Sequence, residues 1–268
     1  MEQIFQLTVD CAPAGIEGIA KATLTANIIP QLDFATPLRP AIVICPGGGY
    51  GFLSDREGDP IARKFASAGF QTFVLKYEVL ALPYPSHLLT AGKAVSFVRE
   101  HAEEWHIDPE KVFIIGFSAG GHLAGSLGTL WNREYVKAAL NTACEHKPNG
   151  MILCYPVITS GEFAHRGSFE KLLMDRYSDD LLKETSLELQ VSKDTVPAFI
   201  WHTFEDTTVP MENTLLMVTA LRQNNIPFEL HTFPRGGHGL SLVTSEVGSG
   251  PQECAVWADM AIRWAKEL

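Results

Sequence analysis

Apolar runs alternate with longer amphipathic stretches from about residue 41 to the end of the 268-residue chain. That rhythm predicts a parallel sheet joined by crossover helices. The strand candidates are residues 41–45 (AIVIC), 71–77 (QTFVLKY), 111–117 (KVFIIGF), 150–156 (GMILCYP), 197–202 (PAFIWH) and 228–233 (FELHTF). They are β-branched and aromatic with no polar alternation, as strands covered on both faces require. Helix candidates fall between them, at residues 60–68, 86–105, 119–131, 211–224 and 251–266.

Two segments break the rhythm. Polar and apolar positions alternate around residues 5–9 and 20–28, which predicts an antiparallel hairpin at the edge of the sheet rather than a separate domain. Residues 159–194 form a long stretch between two strand candidates, with weak helical signals and charges in both halves. An insertion of this kind serves as a lid, a binding loop or surface decoration. The chain length suits one α/β domain over residues 1–268 with a sizeable core.

Composition narrows the function classes. Hydrophobic residues make up 46% and charged residues 19%, which excludes a disordered or fibrous chain. The formal charge is −10 and Lys and Arg are not clustered, so a nucleic-acid partner is not expected and a small neutral substrate is. Every apolar segment is interrupted before the roughly 20 residues a membrane helix needs. Cys45 and Cys154, two of five cysteines, sit in apolar runs and read as buried reduced thiols. With Glu2 and Asp10 where an export signal would be basic and then apolar, the expected location is cytoplasmic. Nothing in the sequence speaks to oligomeric state.

The chemistry begins in KVFIIGFSAGGHLAG, where Gly116-Phe117-Ser118-Ala119-Gly120 matches G-x-S-x-G between a strand and a helix candidate. A strand turning sharply into a helix holds such a serine strained and exposed, and a Cβ at either flanking glycine would clash. The helix that follows carries Gly120, Gly121, Gly125 and Gly128, each costing about 1 kcal/mol relative to Ala, so close packing against the sheet is expected.

A serine hydroxyl needs a base, and the base needs a carboxylate to orient it. With G-x-S-x-G the chain order is Ser, acid, His. The segment PAFIWHTFEDTTVP offers Glu205 and Asp206, and His238 follows the last strand in Gly236-Gly237-His238-Gly239. Donors for a tetrahedral oxyanion are expected from the backbone amides of Gly48 and Gly49, in Cys45-Pro46-Gly47-Gly48-Gly49-Tyr50, and from Ala119. The glycine triplet lacks the G-K-[ST] of a phosphate loop. His122 is expected to pack against the donor loop, His202 and His231 to be hydrogen-bonded within strands, and His87, His101, His106, His146 and His165 to lie at the surface. No H-E-x-x-H motif or cysteine cluster is present, and neither metal nor cofactor is expected. Tyr50, Phe52, Tyr84, Tyr155 and the insertion are expected to line the substrate pocket.

The chain resembles bacterial acetyl esterases, or acetylxylan-esterase-like serine esterases, of the α/β-hydrolase superfamily, relatives of the hormone-sensitive-lipase group. The resemblance rests on CPGGGY, SDREGDPIARKFASAGF, the long segment from YPSHLL to GGHLAGSLG, LCYPVIT, and the segment from TVPAFIWHTFEDTTVP to PRGGHGLSL. It implies the α/β-hydrolase fold, a mostly parallel central sheet with helices on both faces. It also implies Ser118 as nucleophile, His238 as base and Asp206, rather than Glu205, as acid. Pro46 departs from the His of the H-G-G-G sequence in the lipase group, and Thr90 stands where many relatives have an acidic residue. The implied function is hydrolysis of short acyl esters, such as acetyl groups on small sugars. The alternatives are an amidase, arylformamidase or peptidase on the same scaffold, or a non-catalytic binding protein; against the last stands the presence of all three triad residues.

Overall fold

The computed structural model describes residues 2–31, 37–141 and 145–268. Within them eight strands form one sheet in the order β1-β2-β4-β3-β5-β6-β7-β8. These are β1 (Glu2–Asp10), β2 (Ile19–Asn27), β3 (Arg39–Cys45), β4 (Gln71–Tyr77), β5 (Ile107–Phe117), β6 (Gly150–Cys154), β7 (Ala198–Thr203) and β8 (Phe228–Phe233). β2 runs antiparallel to both β1 and β4, and the pairings from β4 through β3 to β8 are parallel. The predicted edge hairpin and parallel core are both present, and the fold is that of the α/β-hydrolases.

The pleat explains why the core strands read as unbroken apolar runs. Along β5, Val112 and Ile114 join one buried cluster while Phe113, Ile115 and Phe117 join another on the opposite face. Helices α2 (Ser86–Glu100), α3 (Ala119–Leu130) and α7 (Glu212–Gln223) cover the first face. Helices α1 (Asp59–Ser67) and α8 (Trp257–Glu267) cover the second. The central strands β3 to β7 therefore bury both of their faces over most of their length, while β1 at the edge alternates exposed and more buried positions.

The differences from the sequence reading are local. The stretch 86–105 is helical only to Glu100, after which the chain turns before entering β5. α4 (Glu134–Leu140) is seven residues long, too short to show a helical period. The insertion holds α5 (Arg166–Leu173) and α6 (Asp179–Thr185). Two histidines expected at the surface are buried: His87 packs edge-on against Tyr50 and Tyr77, and a ring nitrogen of His146 meets the Trp131 carbonyl at 2.7 Å. Cys11, Cys45, Cys154 and Cys254 are free thiols, all buried, while Cys144 lies outside the described residues. Among the described residues no helix is long and apolar enough to cross a membrane.

Because the core strands are parallel, their C-terminal ends share one edge of the sheet. The glycine loop follows β3, Ser118 follows β5, Asp206 follows β7 and His238 follows β8. Ligand sites of open α/β sheets lie at this edge.

Candidate active site

Ser118 joins the last residue of β5 to the first of α3 with φ 54° and ψ −117°. A non-glycine residue in such a conformation carries strain of about 1–3 kcal/mol. Three backbone bonds hold it there: its N–H donates to the Cys154 carbonyl at 3.0 Å, and its carbonyl accepts from Val157 and His122 at 3.1 Å each. The flanking glycines are sterically required. A Cβ on Gly116 would stand 1.9 Å from the Gly120 carbonyl oxygen, and one on Gly120 would stand 2.1 Å from that of Cys45.

The Ser118 hydroxyl lies 2.7 Å from Nε2 of His238, whose Nδ1 lies 2.6 Å from Oδ2 of Asp206. A carboxylate only accepts, so Nδ1 carries the proton and Nε2 is the free acceptor facing the serine. Gly236, with φ 121°, helps the loop return over the strand ends; its N–H donates to Glu205 at 2.9 Å and its carbonyl accepts from the Thr203 hydroxyl at 2.8 Å. Glu205 is thus an exposed support of the histidine loop, while Asp206 is buried beneath the imidazole.

Burial would raise the pKa of Asp206. Hydrogen bonds from His202 and His238, the charge on His238 and the Val209 amide overcome that and hold the carboxyl well below the ordinary carboxylate range. Oδ1 also accepts the Thr208 amide, each amide at 3.0 Å. His202, fully buried, brings Nε2 to 3.2 Å from Oδ2 of Asp206 and 3.0 Å from the Val209 carbonyl. Its Nδ1 takes the Thr214 hydroxyl at 2.8 Å. His202 is the hydrogen-bonded strand histidine the sequence predicts.

The glycine loop after β3 closes on itself: Gly51 and Phe52 donate to the Gly48 carbonyl, and Ser54 donates to that of Gly47. The N–H groups of Gly48 and Gly49 make no hydrogen bond to the described residues. The Ala119 N–H, first in α3, has no acceptor within its helix. Gly48 and Gly49 line the same cavity of about 240 Å³ as Ser118 and His238. Phe52, Ser54, Arg56, Glu57, His165, Lys171, Thr208 and Gly239 complete its wall, so α5 and the residue just ahead of it make the insertion part of the pocket. Burial depresses the basicity of His165, with the nearby His238 and Lys171 acting in the same direction.

The structure does not bring the three tyrosines into this cavity. Tyr50 is buried, with its hydroxyl 2.8 Å from Nδ1 of His122. Tyr84 lies at a second cavity, its hydroxyl bonded to Tyr135 and Glu184. Tyr155 is buried behind the histidine, ring edge to face with His238 at 5.2 Å and hydroxyl 2.7 Å from Glu57. The aromatic residue at the cavity is Phe52, 63% exposed. Glu57, which sequence reasoning passed over, is buried at the cavity wall. Burial pushes its carboxyl pKa up, opposed by hydrogen bonds from Tyr155 and Gly47. Its sequence signal was only its place ten residues after Gly47, in the segment that follows the glycine loop.

A model of the BD-FAE family matches residues 31–221. The chain belongs to the BD-FAE family. This BD-FAE chain is similar to endo-1,4-beta-xylanase B of Butyrivibrio fibrisolvens, at 40% identity over 234 residues that make up 84% of the chain and 36% of that protein. It is also similar to an acetylxylan esterase of Xylanibacter ruminicola, at 33% identity over 213 residues, 76% of the chain and 42% of that protein. The chain thus spans less than half the length of these two relatives. Among solved structures, the acetyl ester-xyloside bifunctional hydrolase of Caldicellulosiruptor lactoaceticus superposes with a TM-score of 0.80 at 35% identity, over 92% of this chain and 88% of that one. A carboxylesterase of Lactobacillus plantarum gives a TM-score of 0.84 at 28% identity, over 99% and 97% of the two chains.

Proposed function

We propose that the chain is a serine carboxylesterase, a single catalytic α/β-hydrolase domain that cleaves short acyl esters, with acetyl groups on small sugars as the leading substrate class. The observation that carries this reading is the continuous chain Asp206–His238–Ser118, at 2.6 and 2.7 Å, ending beside the free amides of the glycine loop. Ser118 attacks the ester carbonyl as His238 Nε2 takes its proton, and Asp206 stabilises the resulting imidazolium. The negative oxygen of the tetrahedral intermediate faces the amides of Gly48, Gly49 and Ala119. Its collapse expels the alcohol, which receives the proton from His238 and leaves an acyl-serine. A water, deprotonated by the same histidine, then releases the carboxylic acid.

Three features support short acyl groups. The cavity holds only about 240 Å³. Besides Ser118 and His238, its wall carries the charged or polar residues Ser54, Arg56, Glu57, His165, Lys171 and Thr208, unlike the broad apolar surface that binds lipid chains. The acetylxylan esterase and the acetyl ester-xyloside hydrolase are among its relatives.

The test is a panel of p-nitrophenyl esters from acetyl to decanoyl, with acetylated xylosides and an arylformamide alongside. The expected kcat/KM is highest from acetyl to butyryl and low beyond about eight carbons. A steady rise toward decanoyl would point to a lipase, and faster turnover of the arylformamide would point to an amidase.

A further inference from the structure

Glu57 is a buried carboxyl at the active-site wall that the steps above do not use. We propose that Glu57 is a positioning residue whose carboxylate fastens the oxyanion-donor loop to the loop carrying the catalytic histidine. The inference rests on the esterase reading and adds a residue to it.

The connections run from one oxygen to the other. Oε2 accepts the Gly47 N–H at 2.9 Å, next to the donor amides of Gly48 and Gly49. Oε1 accepts the Tyr155 hydroxyl at 2.7 Å. Tyr155 Oη in turn accepts the Ser241 N–H at 3.0 Å, three residues after His238, and the Tyr155 ring packs against the imidazole. The Ser241 hydroxyl donates to the carbonyl of Arg56, beside Glu57, closing the circuit. One side chain therefore links the loops after β3, β6 and β8.

The fit at Gly47 shows how tightly the parts are stacked. A Cβ there would come within 2.7 Å of Glu57 Oε2 and 3.1 Å of Ser118 Cβ, so the carboxylate and the nucleophile's residue both crowd the Cβ side of Gly47. An ionised carboxylate is expensive to bury unless paired and hydrogen-bonded. Here its bonds converge on groups that must keep register with the reaction centre, and the guanidinium of Arg56 supplies favourable charge nearby. When His238 becomes cationic during attack, a second carboxylate close to it favours that state in the same direction as Asp206.

A clamp on transition-state donors governs turnover more than substrate binding. The experiment measures p-nitrophenyl acetate hydrolysis per active site, with sites counted by exhaustive fluorophosphonate labelling so that loss of folded protein does not enter the rate. Glu57→Gln, whose amide cannot accept on both sides, is expected to lower kcat roughly 10–100-fold, less than deleting an oxyanion donor outright, with KM within about twofold. Tyr155→Phe removes only a hydroxyl and is expected to lower kcat in the same way. The double variant should be no slower than the slower single, because one linkage is broken twice.

A kcat per site within about twofold of the parent in either single variant, or losses that multiply in the double, overturns the proposal. Should Glu57→Gln fail to fold, Tyr155→Phe decides alone by the same criterion. Ser118→Ala separates the two levels. If it turns over like the parent, the esterase reading falls and this inference with it. If it is inactive while Glu57→Gln matches the parent, only the clamp fails.

Discussion

The Tyr50 hydroxyl donates to Nδ1 of His122 at 2.8 Å, and Nε2 of the same ring donates to the Thr185 carbonyl at 2.8 Å. One buried histidine thus pins the glycine loop to the end of α6, the second helix of the insertion. His122 follows Ser118 by four residues, yet it cannot act as the base because both ring nitrogens are committed away from the hydroxyl. His122→Ala should leave two buried polar groups without partners and lower stability by about 3 kcal/mol, measured by urea unfolding. Turnover of the folded variant should stay within about tenfold of the parent, far above the collapse that follows loss of a general base.

Burial lowers the pKa of His122 and of His87 to about 4 each, from an ordinary 6.5. The unfolded chain therefore binds more protons than the folded one between pH 6.5 and 4, so stability is highest above that window and falls as pH drops through it. Each such histidine contributes a slope of up to about 1.4 kcal/mol per pH unit. Thermal unfolding across this range should show the loss, and a His122→Gln variant should show a shallower slope. A slope identical to the parent's would mean that His122 is charged in the folded protein.

Asp206→Asn should reduce kcat by about 10⁴-fold, because the imidazole loses the carboxylate that fixes its tautomer and stabilises its cationic form. Glu205→Gln keeps an oxygen able to accept the Gly236 N–H and should cost no more than about tenfold, through a looser histidine loop. Steady-state kinetics of the two variants checks the assignment; a larger loss at Glu205 would reverse it.

Much of this arrangement was legible in the sequence because short-range rules govern it. G-x-S-x-G marks Ser118, and the strand-to-helix turn needs the glycines that flank it. The order Ser, acid, His placed His238, while the choice between Asp206 and Glu205 came from family resemblance; here Asp206 meets the imidazole and Glu205 the Gly236 amide. The pocket was not legible. Tyr50 and Tyr155 follow strands that lead into the site and Tyr84 lies at a second cavity, and all three rings turn inward to satisfy their hydroxyls on His122, Glu184 and Glu57. Which way a loop aromatic points depends on partners 72, 100 and 98 residues away. Net charge does not report local character: a chain of formal charge −10 places Arg56 and Lys171, along with Glu57, on the cavity wall.

The G-x-S-x-G glycines make a stability prediction independent of chemistry. Gly120→Ala would drive a Cβ to 2.1 Å from the Cys45 carbonyl oxygen, with Pro46 backbone 2.5 Å away. Backbone atoms on a central strand cannot step aside, so a loss of about 3 kcal/mol or more is expected in urea unfolding. A variant as stable as the parent would show that α3 does not pack this closely against the sheet end.

The most direct test of the central claim is covalent. The parent enzyme, treated with a fluorophosphonate and digested, should carry one phosphonyl group on the peptide containing Ser118, with activity lost in proportion to labelling. Ser118→Ala should fold, remain unlabelled and lose hydrolysis of p-nitrophenyl acetate by several orders of magnitude. Labelling at another residue, or a Ser118→Ala variant that still turns over ester at the parental rate, would contradict the account.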